Sequence, residues 1–225
     1  GCDNINPLHC MFPFPSSAFL TLDSSTVTGY RVNYSKTSLP NSGISGNVEI
    51  PGINRLDGMS PSTQILTSFE EDPVLAGIAN QSSIGKSLEL NHSTVLINLE
   101  TGEKMPHWVE LDARTDNRGS TILYIRTLKG LDHNTAYGVG ISGLINSTGS
   151  LINPSLAFQA LIDGNYTDAA DIESRSEEFE NLFANLESLG YERHNLQAAW
   201  NFHTASTESI IGGMLHMRGD ALTRL

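Results

Sequence analysis

Basic residues are scarce in this chain. Lys and Arg together number 13 against 25 Asp and Glu, a formal net charge of −12 over 225 residues. A surface of that sign repels a phosphate backbone, so no nucleic-acid partner is expected. Aromatics make up 7% and are not interleaved with basic residues, which argues against single-strand binding too. The acidity reads as solubility; calcium binding is the sharper reading, but no D-x-[DN]-x-[DN]-G loop is present. No apolar run approaches the roughly 20 residues of a membrane-spanning helix, so no membrane span is expected. Cysteine is limited to Cys2 and Cys10, too few to make a zinc site alone. In an oxidising compartment they would pair and pin the N-terminal loop, a gain of roughly 2–3 kcal/mol on the chain-entropy account. Two reduced thiols are the other reading.

Catalytic signatures are also missing. A serine hydrolase built on a nucleophile elbow needs G-x-S-x-G; the nearest stretch is Gly140-Ile141-Ser142-Gly143, where Ser142 reads as a strand residue. None of the seven histidines, His9, His92, His107, His133, His194, His203 and His216, forms H-x-x-x-H or H-E-x-x-H. His203 and Ser206 are close in sequence, which does not place a base on a nucleophile. Glu110 and Asp112 sit two apart on one strand face without a cleft between them. Glu177, Glu178 and Glu180 read as a solvated helix face. No glycine-rich phosphate loop follows a strand. No catalytic residue, metal site or cofactor is expected, and the reading leans away from an enzyme.

What the chain does have is strand periodicity. Tyr137, Val139 and Ile141 alternate with small residues, the period-two pattern of a half-buried strand. Similar runs begin near Ile65, Val95, Trp108 and Ile122, with turn signals about every ten residues. Glu100-Thr101-Gly102-Glu103 reads as a hairpin turn with glycine where φ is positive. Trp108 and Trp200 are expected in the core, although a surface Trp could stack on a sugar. The expected fold is mainly β: an Ig-like β-sandwich with an irregular N-terminal segment and a C-terminal α/β extension. Residues 1–60 are a turn-rich segment packing on the sandwich, with Tyr30, Val32 and Tyr34 in a short strand and loops at 40–46 and 51–52. Residues 61–153 are the sandwich, with edge strands supplied from 17–35. Residues 154–225 are the extension: a short helix or irregular strand at 155–162, an amphipathic helix at 171–189 ended by Gly190, a strand at 196–204, and a last helix capped by Ser206 and reaching Met217.

Asn-x-Ser/Thr sequons stand at Asn33, Asn80, Asn91, Asn146 and Asn165, several in turn-like stretches where a glycan can be carried. With the cysteines and a polar surface rich in Ser, Thr, Asn and Gly, they favour a secreted, extracellular or cell-surface glycoprotein. The chain opens Gly-Cys-Asp-Asn without a visible signal peptide and closes on a helical pattern, so it reads as a processed piece of a longer protein.

Several segments carry a family resemblance. Phe12-Pro13-Phe14-Pro15-Ser16 followed by Asn54-Arg55-Leu56-Asp57-Gly58-Met59-Ser60-Pro61 resembles the opening of the N-terminal region of bacterial extracellular lipases, where a PFP segment leads to an LDGFS segment and an Ig-like domain. The stretches 95–112 and 131–154 resemble that domain. So does the tail, with Ala199-Trp200-Asn201-Phe202, Ala205-Ser206 and Met217-Arg218. The resemblance implies that an α/β-hydrolase domain, which would carry the catalysis, follows such a region. The expected function is a non-catalytic extracellular module acting in adhesion or assembly, through a protein partner or by self-association. The alternatives are the accessory region of a secreted lipase or esterase, and a carbohydrate-binding module taking glycans.

Overall fold

The computed structural model describes residues 2–36, 38, 52–113 and 121–224. The loop expected at 40–46 and Pro51 lie outside them. The described chain is mostly β. Strands β1 (Leu20–Leu22) and β2 (Tyr30–Val32) form a hairpin; β3 (Ile65–Ser68), β6 (Ile122–Thr127) and β5 (His107–Leu111) form one sheet in that order; β4 (Thr94–Asn98), β7 (Ala136–Ser142) and β8 (Leu196–His203) form another. All pairings within these sheets are antiparallel. The strands expected in the middle of the chain form where alternation placed them. Residues 17–35 make their own two-stranded sheet. β8 comes from the segment after 153 and pairs with β7 along its length.

The two three-stranded sheets share one apolar core. Tyr137, Val139 and Ile141 of β7 meet Leu96, Trp200 and Phe202 of their own sheet. They also join the cluster that holds Ile65, Val109, Leu123 and Ile125 of the other sheet. The opposite face of β4-β7-β8 is covered as well. Val95, Ile97, Leu196 and Ala199 pack with helices α1 (Leu156–Asp163) and α3 (Ser176–Ser188) through Phe158, Leu161, Phe179, Leu182, Phe183 and Leu186. Burial on both faces explains why all five residues of β4 are buried and why it reads as a continuous apolar run. It also explains the glycines of β7. A Cβ on Gly138 would stand 2.7 Å from Leu182 Cδ1, and one on Gly140 would stand 3.0 Å from Leu186 Cδ2. The small residues of the alternation therefore seat a helix.

Local chemistry sets the helix ends. Ser155 caps α1 by accepting from the Phe158 N–H. Beyond α3, Gly190 has φ 89°, and its N–H and that of Tyr191 bond to the Glu187 and Leu186 carbonyls, closing the helix as its glycine foretold. The helix expected over 171–189 is divided into α2 (Ala170–Glu173) and α3. The break falls at Ser174 and Arg175, where the Arg175 guanidinium reaches Asp3 at 2.9 Å. The turn at 100–103 also differs from a simple hairpin. Gly102 has φ 73° as expected, and the Met105 N–H still bonds to the Leu96 carbonyl. Pro106, with no N–H to give, ends that pairing, and the chain crosses to the other sheet as β5.

Valine at Gly138 would drive a branched side chain into Leu182, Leu99 and Ile97. Overpacking of this kind costs about 1–3 kcal/mol. The Gly138→Val protein is expected to lose that much unfolding free energy and to unfold at a lower denaturant midpoint, measured by chemical denaturation.

Candidate functional site

The site begins with a polar fastener between segments far apart in sequence. Asp57 is 4% exposed. Its Oδ1 accepts from the Ser206 N–H at 3.0 Å and its Oδ2 from the Ser206 hydroxyl at 2.6 Å. Ser206 Oγ in turn accepts from the Ser209 N–H and so caps α4 (Thr207–Thr223), as the sequence led us to expect. The Asp57 N–H returns a bond to Ser209 Oγ at 3.2 Å. On either side, the Met59 N–H donates to the His203 carbonyl and the Ala205 N–H to the Met59 carbonyl. Gly58 lets the strands approach: a Cβ there would lie 2.6 Å from the Ala205 nitrogen. Thus residues 57–59 and 203–206 form one clasp at the root of α4.

From that clasp α4 runs past Met217 to Thr223. After Gly212 its residues are exposed, Met214 to 62%, Met217 to 65% and Leu222 to 64%. Ile210, Met214, Met217 and Ala221 recur at i, i+4, i+7 and i+11, an apolar stripe along one side.

A second surface lies on the outward face of β3-β6-β5. Here the expected core position of Trp108 is corrected. His107 and Val109 turn inward, so the period-two rule sends Trp108 and Glu110 out. Trp108 is half-buried, and its Nε1–H donates to Glu110 Oε1 at 2.8 Å. Arg126 Nε donates to Glu110 Oε2 at 2.6 Å, and the Arg126 guanidinium lies 4.9 Å from the Tyr124 ring centre. The Trp108 bond and then Arg126 hold the Glu110 carboxyl below its ordinary range. Trp200 is fully buried, as expected, with its Nε1–H on the Pro15 carbonyl at 2.9 Å.

Cys2 and Cys10 are bonded, at 1.99 Å. Their loop is tied down by Asp3, which accepts from Arg175 and from the Ser16 hydroxyl. Of the sequons, Asn33, Asn80, Asn91 and Asn165 are exposed and Asn146 is half-buried, with its amide donating to Glu71 at 2.9 Å.

His92 and His107 are brought together. Thr94 Oγ1 lies 2.8 Å from His107 Nε2, while His107 Nδ1 faces the Met105 carbonyl at 2.8 Å. The carbonyl can only accept, so Nδ1 carries the proton of a neutral ring. Burial pushes the His107 pKa down to about 4. Among the described residues, no group of three or more His, Cys, Asp or Glu side chains is placed to hold a metal. No helix among them is long and apolar enough to cross a membrane.

No family model matches this chain, and no curated protein matches it. The clasp and the outward aromatic face were not deduced from the residues. The clasp joins positions 149 apart, which no local pattern reports. The aromatic face did leave a signal, since Trp108 and Glu110 share strand parity.

Two outcomes are expected. His107 ionises in the unfolded chain near 6.5 but near 4 when folded. The unfolded state therefore takes up a proton that the folded state refuses. Stability is full above about pH 6.5 and falls as pH drops towards 4, by about 3 kcal/mol from this group; urea titrations across that range measure the slope. Asp57→Ala leaves the Ser206 N–H unpaired at a buried position and costs about 1–3 kcal/mol. It should also open the chain near 206–210 to limited proteolysis before the sheets unfold.

Proposed function

We propose that this chain is a non-catalytic extracellular interaction module of the Ig-like β-sandwich class, acting in assembly through α4, with a second copy of itself as partner. The observation that carries the reading is a helix fixed at its root by buried hydrogen bonds while its apolar stripe, which starts at the mostly covered Ile210, stands in solvent at Met214, Met217 and Ala221. An apolar stripe at alternating spacings of four and three is complementary to another helix of the same pattern, and a second copy supplies one. The Ig-like class draws support from Tyr137. Its hydroxyl accepts from the Asp132 N–H at 2.9 Å, a bond back to the upstream backbone like that of the tyrosine corner in such sandwiches. The disulfide and the exposed sequons support an extracellular setting.

A second reading has its own observation. The segments behind the resemblance to lipase N-terminal regions, 54–61 and 199–206, meet in the clasp. On that reading the chain is the accessory region of a secreted lipase or esterase, and α4 braces a hydrolase domain. A third reading, a carbohydrate-binding module, draws on Trp108 and Tyr124 on the outward sheet face.

Sedimentation velocity over a range of concentrations separates the first two readings. Self-association is expected, and the double change Met214→Glu with Met217→Glu should abolish it. Measured at a concentration where the parent is monomeric, thermal stability should barely change, because both side chains are mostly in solvent. A chain that stays monomeric at every concentration would overturn self-association and favour the accessory reading.

A further inference from the structure

We infer that the crossover at 73–92 is an acid-released cover over the free edge of β5, held shut by the buried pair His92 and His107 while both rings are neutral. β5 is the last strand of its sheet. Its Val109 N–H donates to the Ala79 carbonyl at 2.9 Å, and its His107 N–H to Ser87 Oγ at 3.1 Å, in the short helical turn Ile84–Leu88. An edge strand otherwise leaves such groups unpaired. The cover itself is thinly packed. Ile78 and Ala79 are its buried hydrophobic residues, while Leu88 and Leu90 are exposed. Segments with few buried apolar contacts open at lower cost than the sheets they lie on.

The two rings close a chain of hydrogen bonds in which every donor meets an acceptor. The Ala79 N–H donates to His92 Nε2 at 2.9 Å, so that nitrogen is bare. The proton of His92 is then on Nδ1, 2.8 Å from the Thr94 carbonyl and 3.2 Å from Thr94 Oγ1; the Thr94 N–H, 3.3 Å away, is the longer contact. Thr94 Oγ1 donates onward to the bare Nε2 of His107. A proton added to His92 Nε2 would confront the Ala79 N–H and break the bond that fixes the cover. One added to His107 would be a charge at a fully buried site, 5.9 Å from the other ring. The titratable group facing each ring is therefore the other ring. β4 carries no charged residue. Lys86 and Glu89 on the cover are exposed, Lys104 donates to the Glu89 carbonyl, and Glu110 on β5 is turned outward to Trp108 and Arg126. The released cover takes up protons that the closed one refuses, so opening grows as pH falls below about 6.5.

Amide hydrogen exchange tests this, read as protection factors at pH 6 and pH 5. Each proton taken up on release multiplies the opening by up to about tenfold per pH unit. Protection at Ala79, His107 and Val109 should fall by up to about a hundredfold, and that at Val139 and Trp200 in the other sheet by much less. His92→Gln keeps an acceptor for the Ala79 N–H but cannot ionise, so its loss should shrink to about tenfold. Ring nitrogen shifts of the parent at pH 7.5 should place the proton on Nδ1 of both histidines. The inference is overturned if protection at Ala79 and Val109 does not change, if it falls only in step with Val139 and Trp200, or if His92→Gln responds like the parent. Should that variant fail to fold, a proton found on His92 Nε2 of the parent at pH 7.5 overturns it, and one on Nδ1 together with the selective loss at Ala79 and Val109 upholds it.

Discussion

Everything in this structure depends on burying both faces of the β4-β7-β8 sheet. One face packs against β3-β6-β5 and the other against α1 and α3. A strand with a wet face needs one row of apolar side chains; β4 and β7 need two. β4 meets the demand with Val95, Leu96 and Ile97 in succession. β7 meets it differently, with large residues towards the sheet and glycines towards α3. Each large side chain buried this way contributes about 1.5–3 kcal/mol. The glycines contribute by letting Leu182 and Leu186 close on the backbone. The N-terminal segment, through Phe19, Val32 and Tyr34, covers what the sheets leave open.

Around that apolar frame, the peripheral segments are fastened by buried carboxylates. Asp3 is held by the Arg175 guanidinium and the Ser16 hydroxyl. Asp57 has no cation among its described partners; it is held by the N–H and hydroxyl of Ser206 at the start of α4. The positive end of a helix suits a carboxylate. A buried charge is costly unless its hydrogen bonds are satisfied, so each fastener specifies one partner in a way that an apolar contact does not. These contacts fix where the disulfide loop and α4 begin.

Much of this frame was legible in the sequence, and the reasons for the rest are physical. Alternation located the middle strands because side-chain parity is a property of consecutive residues. Ser155 and Ser206 as caps and Gly190 as a terminator are equally local. Tertiary facts were not legible. Gly138 and Gly140 look like gaps in a pattern until α3 is seen lying on them. The helix break at Arg175 depends on Asp3, 172 residues away. Trp108 was misplaced by size; parity with Glu110 was the better guide. The division of β4 and β5 between two sheets follows from Pro106, visible in the sequence but ambiguous without its neighbours. Of the candidate surfaces, the stripe on α4 could be read as spacing, whereas its exposure could not.

The contrast between the ends of α4 narrows what the helix can be for. A helix whose residues are exposed among the described residues gains little from its own hydrogen bonds, and Gly212, Gly213 and Gly219 each lower its helix preference by about 1 kcal/mol. Such a segment left to itself would fray. Its first turn is nevertheless held by four hydrogen bonds centred on Asp57, Ser206 and Ser209. A clasp of that kind sets the direction in which the helix leaves the sheets, while methionines along the exposed stripe adapt readily to an opposing surface. Rigid aim with an adaptable contact face is the combination expected of an element that meets another folded surface.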